Sequence, residues 1–87
     1  MTTHHGTTEA DTVAEVNFND DAGSIAVFNY AGTDLLLVRV DGGDPAIGQH
    51  DTRIVPPGVR RVITRDLEGP TAIRLLSTGV VSYEIEY

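Results

Sequence analysis

The stretch Val80-Val81-Ser82-Tyr83-Glu84-Ile85-Glu86-Tyr87 alternates without a break: Val81, Tyr83, Ile85 and Tyr87 fall on one side, Ser82, Glu84 and Glu86 on the other. Side chains of a β-strand point to opposite faces in turn, so this pattern describes a strand with one face covered and one in water. Upstream of it the same grammar recurs. Short runs of Val, Ile, Leu, Phe and Tyr are broken by turn residues at a spacing of about 8–12, the rhythm of an antiparallel sandwich or barrel. The sequence predicts a single small all-β domain of about seven strands.

Those strands are expected at 13–18, 24–29, 35–40, 52–55, 59–64, 71–76 and 80–87. The third reads LLLV without interruption, as strands do when both faces are covered. Asp20-Asp21-Ala22-Gly23, Ala31-Gly32-Thr33 and Pro56-Pro57-Gly58 supply turn chemistry. The longest irregular stretch is DGGDPAIGQHD, residues 41–51. The only apolar set with roughly helical spacing, near Ala72–Leu76, is too short for a helix and lies between Gly69-Pro70 and Gly79. Val27, Phe28, Leu36, Val38, Ile73, Leu75 and Ile85 are the expected core. Residues 1–11 are Thr, His, Gly and acid with almost nothing to bury. They are expected to form a flexible acidic N-terminal arm, removable with little change in thermal midpoint, ahead of a single β domain at 12–87.

At 9.3 kDa the chain has room for one domain. A folded body of this mass exposes ~5,000 Å² and buries roughly 63 % of its unfolded surface, a thin core that small domains often support with disulfides, metals or assembly. Disulfides are excluded by the absence of cysteine. Thirteen acids against six basic residues give a net charge of −7, which disfavours nucleic acid and anionic membranes as partners. Nine acids and one arginine lie before residue 52, so the acid excess belongs to the N-terminal part. No apolar run approaches the ~20 residues of a membrane span, and MTTHHGTTEADT has neither the basic nor the apolar region of a signal peptide.

Each candidate for chemistry has a plainer explanation. His4-His5 reads as solvated tail, and His50 as a surface-loop histidine with no nucleophile placed near it. Asp41-Gly42-Gly43-Asp44 resembles a calcium loop only in outline, because no bidentate Glu closes it. Glu84 and Glu86 share one solvated strand face. Serine-nucleophile, Walker and dinucleotide patterns are missing. The reading is therefore not an enzyme, with no catalytic, cofactor-binding or metal residues and no cofactor. Arg60-Arg61 places guanidinium groups on opposite faces of one strand. The inward one is either an edge-strand guard or a contact to a partner carboxylate.

From Leu35 to Glu86, about 50 of the 87 residues, the chain resembles the small all-β virion structural proteins of tailed bacteriophages, of the head decoration or cement type. The residues that carry the likeness are LLLVRVDGGDPA (35–46), VPPG (55–58) with the arginines after it, and IRLLSTGVVSYEIE (73–86). The resemblance implies a protein made in the host cytoplasm and carried on the virion. There it would bind the major capsid protein on the outside of the head, often as a homo-oligomer such as a trimer at a symmetry axis, and stabilise the shell. The alternative is a β-sandwich binding module for a glycan or cell-surface ligand on a phage tail or secreted protein. Three tyrosines at most remain for such a platform if both phenylalanines are core.

Overall fold

The computed structural model describes residues 2–18 and 22–87; the Asp20-Asp21 turn lies outside them. Eight strands form: β1 Thr3–Thr7, β2 Ala14–Asn17, β3 Ser24–Ala31, β4 Leu36–Arg39, β5 Arg53–Val55, β6 Arg60–Thr64, β7 Ala72–Leu76 and β8 Ser82–Glu86. They make two four-stranded antiparallel sheets, a front sheet β1-β8-β3-β6 and a back sheet β2-β7-β4-β5. The seven expected strands all form, and the architecture is the antiparallel sandwich that their alternation implies.

The eighth strand corrects one expectation. Thr3–Thr7 is no free arm: it pairs with β8 along Thr3↔Glu86, His5↔Glu84 and Thr7↔Ser82. Backbone pairing needs no apolar side chain, and the polar THHGT segment suits an edge strand exposed to water. Thr8 then dives inside. Its hydroxyl shares a 2.6 Å hydrogen bond with Ser77 and accepts from the Val81 N–H at 3.0 Å, with 1 % of the residue exposed. Gly6 is required where it stands, because the Tyr83 ring lies against its Cα and a Cβ would fall 2.5 Å from Tyr83 Cζ.

The core lies between the sheets. Ile25, Val27, Val81 and Ile85 of the front half meet Leu36, Val38, Val55, Ile73 and Leu75 of the back half, all fully buried. Phe28 is the second correction. Val27 is inward, so its neighbour is outward, and Phe28 is only half-buried on the outer face of the front sheet. Asn29 crosses between the layers, its amide donating to Asp34 O and Val55 O at 3.0 Å each.

Edge strand β5 of the back sheet and edge strand β6 of the front sheet are joined by the Pro56-Pro57-Gly58 turn. Val59 N–H donates to Pro56 O at 3.1 Å, and Gly58 takes φ +77°, as the third position of a type II turn demands. Arg61, cross-strand partner of the buried Val27, points inward on edge strand β6 and donates to Ile54 O of β5 at 3.2 Å. Arg61 stays exposed there, so its charge stands at the open side of the sandwich, the position of an edge guard.

At the lower end Arg65, 5 % exposed, follows β6 inward. Its guanidinium donates to the carbonyls of Ala22 (2.7 Å), Gly69 (3.2 Å), Pro70 (3.3 Å) and Leu67 (3.4 Å), and stacks 5.1 Å above the Phe18 ring.

Candidate functional site

Two outer surfaces carry features beyond folding. The first is the outer face of the front sheet. Strand register places Ala26 between Glu86 and Val62, and Phe28 between Glu84 and Arg60. A register irregularity between Asn29 and Ala31 leaves Tyr30 as an extra residue turned outward, in the way bulges re-aim side chains. Phe28 and Tyr30 touch at 5.9 Å between centroids, and His5 meets Tyr30 edge-on at 6.1 Å. Around this apolar centre stand Arg60 with Glu86 at 3.7 Å and His5 with Glu84 at 4.0 Å. Val62 and Tyr30 are 56 % and 45 % exposed. An aromatic and aliphatic centre with a charged rim is the anatomy of a protein interface.

The second surface is on the back sheet, where the residue 41–51 stretch connects β4 to β5 and folds over the outer face. Arg39 holds it down. Its guanidinium grips Asp41 through Nε at 2.6 Å and Nη2 at 2.9 Å, donates to Gln49 Oε1 at 2.6 Å, and lies 3.6 Å from Asp51. Arg74 adds a 2.7 Å bond to Asp44 and stands 3.6 Å from Glu15. Asp41 and Asp44, the outline of a calcium loop, are therefore arginine partners. Beneath the loop lies an open cavity of about 250 Å³, lined by Leu35, Leu37, Ile47 and Leu76 with Asp11 and Asp34 among its walls.

The hydrogen bond from Arg39 holds the Asp41 carboxyl down at about 2, from an ordinary 3.8. A depressed folded value means that this contribution is complete above the unfolded value and is lost as pH falls through the folded one, between about pH 4 and pH 2. With 40 % of the Asp41 side chain exposed, solvent screens the pair, so the loop loosens while the sandwich stays. The Gly43 N–H donates to Asp41 Oδ1 at 3.1 Å and reports this directly. Its NMR shift is expected to titrate with a midpoint near 2 and to lose that step in Asp41→Asn; a midpoint near 4 would mean that Arg39 does not clamp the loop.

The histidines divide: His5 joins the aromatic face, whereas His50 is exposed in the loop. Glu84 and Glu86 do share one face and have cationic or imidazole neighbours there. The outward Phe28–Tyr30 pair departs from the expected core, although the parity of Ile25 and Val27 against Ala26 and Phe28 carries its signal. The cavity has no such signal, because Ile47 sits in a stretch with no period. Among the described residues no His, Asp and Glu group of three is placed to hold a metal ion, and no helix is long and apolar enough to cross a membrane. The chain matches no known protein family, curated protein or solved structure.

Proposed function

We propose that this chain is a structural adhesion protein, a decoration protein that binds the outside of a tailed-phage head and stabilises it through the outer face of the front sheet. The observation that carries the reading is that face itself: Phe28, Tyr30, Ala26 and Val62 at the centre, Arg60–Glu86 and His5–Glu84 around them. The resemblance of residues 35–86 to head decoration proteins supplies the identity of the partner, the major capsid protein. Attachment stabilises by mass action, by about 2.7 kcal/mol at a hundredfold excess over the dissociation constant, and a shell offers many sites at once.

Decorated particles are expected to hold their DNA to a higher temperature than stripped ones. The double variant Tyr30→Ser/Val62→Glu, at two exposed positions, is expected to stay folded and to lose about 2 kcal/mol of attachment, roughly thirtyfold in affinity. Equal DNA-release temperatures with and without the protein would sink the decoration reading.

One observation favours a second reading. Phe28 is turned out to meet Tyr30, so the face holds an aromatic pair where the residue pattern left tyrosines alone, with carboxylates and an arginine at hand for hydroxyl groups. A glycan-binding module would use the same face. Retention of the protein on a polysaccharide column, abolished by Tyr30→Ser, together with no effect on particles, would select it.

A further inference from the structure

The cavity on the opposite, back side has a separate chemistry. Its floor is Leu37 and Leu76, cross-strand neighbours on the outer face of β4 and β7, and its walls are Leu35 and the loop residue Ile47. Leu35 and Ile47 are 43 % and 71 % exposed, so the apolar lining opens to solvent. At about 250 Å³ the space falls below the ~300–1,000 Å³ of sites that enclose whole small molecules, and suits a single side chain.

Two carboxylates stand at its walls. Asp11 is held there by backbone: its N–H donates to Ser77 O at 2.8 Å, and it takes φ +56°, the sole positive φ outside glycine among the described residues. Asp34 accepts from the Thr78 hydroxyl at 3.2 Å. Neither is ion-paired among the described residues, whereas Asp41, Asp44 and Asp51 on the same loop side are all answered by Arg39 or Arg74. A left-handed aspartate is an uncommon conformation, found where the surroundings impose it and often at ligand sites.

We propose that this cavity receives an apolar side chain of a partner protein segment whose neighbouring residue is lysine or arginine: the aliphatic group enters between Leu37, Leu76 and Ile47, and the cation is met by Asp11 and Asp34. The inference deepens the adhesion reading by giving the partner a sequence character, and it adds a second contact on the face opposite the aromatic one. The loop of residues 41–51 thereby gains a role, because Arg39 and Arg74 hold Ile47 in place as the cavity's outer wall.

The test uses the full chain and three blocked tetrapeptides, acetyl-Gly-Leu-Arg-Gly-amide, acetyl-Gly-Leu-Glu-Gly-amide and acetyl-Gly-Gly-Arg-Gly-amide, followed by amide NMR shifts at low salt. The Leu-Arg peptide is expected to move Leu35, Leu37, Ile47 and Leu76, and to bind about tenfold more tightly than either of the others. Asp11→Asn with Asp34→Asn keeps side chains that tolerate the left-handed backbone, and it should bring the Leu-Arg and Leu-Glu peptides level. Ile47→Ser, at an exposed loop position, should weaken both leucine peptides. Absence of shifts at these residues, or equal binding of the Leu-Arg and Leu-Glu peptides to the unaltered chain, overturns the proposal. Such a result leaves the particle experiment standing, just as a failed particle experiment leaves the peptide result standing.

Discussion

Replacing Arg65 with alanine is expected to cost about 3 kcal/mol and to lower the unfolding midpoint by roughly 12–24 °C for a domain of this size. Arg65 is 5 % exposed, and its guanidinium donates to carbonyls from two segments: Ala22 before β3, and Leu67, Gly69 and Pro70 in the β6–β7 connection. Removing it leaves these acceptors short of a donor inside the lower end of the sandwich, and an unmade buried bond costs more than a made one contributes. It also uncovers the Phe18 ring, on which the guanidinium stacks at 5.1 Å. Two further variants divide the effect. Arg65→Met keeps the apolar stem against Phe18 and loses the donors, so it should recover only the packing share. Arg65→Lys keeps the charge on a point donor that cannot fork to four acceptors, and should fall between Met and wild type. Thermal melts followed by circular dichroism measure all three. An alanine variant within about 1 kcal/mol of wild type would show that loop carbonyls turn to water freely and that the arginine is no tie.

The contrast between Arg65 and the strands explains how far this chain can be read without coordinates. Alternation is local, so all seven expected strands were legible, and so was the inward facing of Val27, Leu36, Val38, Ile73, Leu75 and Ile85. Pairing is not local. Only β4 and β5 lie next to each other both in sequence and in a sheet; every other pairing joins strands that are distant along the chain. Turn chemistry therefore says where a strand ends and nothing about its partner. The same gap hid the sites. Arg65 looks like any surface arginine until Ala22 and residues 67–70 converge on it. Hydrophobicity alone predicts Phe28 inward, whereas the strand period places it with Ala26 on the other face. The cavity is made by Ile47, an isolated apolar residue among Gly, Pro and Asp, whose loop is held by Arg39, 2 residues from its partner Asp41, and by Arg74, 30 residues from its partner Asp44.

Removal of residues 2–8 is expected to be the second large loss, contrary to what composition alone implies for that segment. The deletion strips β1 from β8, together with the paired bonds between Thr2 and Tyr87 at 2.7 and 3.0 Å. It uncovers Tyr83, now 4 % exposed, whose phenol burial pushes up in pKa. It also takes away the Thr8 hydroxyl that accepts from the Val81 N–H and bonds Ser77. Full exposure of one large side chain costs about 1.5–3 kcal/mol and each orphaned buried polar group about 1–3. Against this, freeing seven residues returns conformational entropy of about 1–2 kcal/mol each, which offsets much of what the strand's own hydrogen bonds supply. The net loss should therefore fall mainly on the Thr8 and Tyr83 end. A deletion of residues 2–4 is expected to shift the midpoint by only a few degrees, and a deletion of 2–8 by roughly 10 °C or more. The longer deletion also turns β8 into a bare edge of alternating apolar residues, a template for pairing with a second copy, so it should dimerise or aggregate as concentration rises. Sedimentation and thermal melts of the two deletions decide the matter. Equal, small shifts for both would return residues 2–8 to the status of a dispensable arm, and would mean that the buried contacts of Thr8 contribute nothing to the folded state.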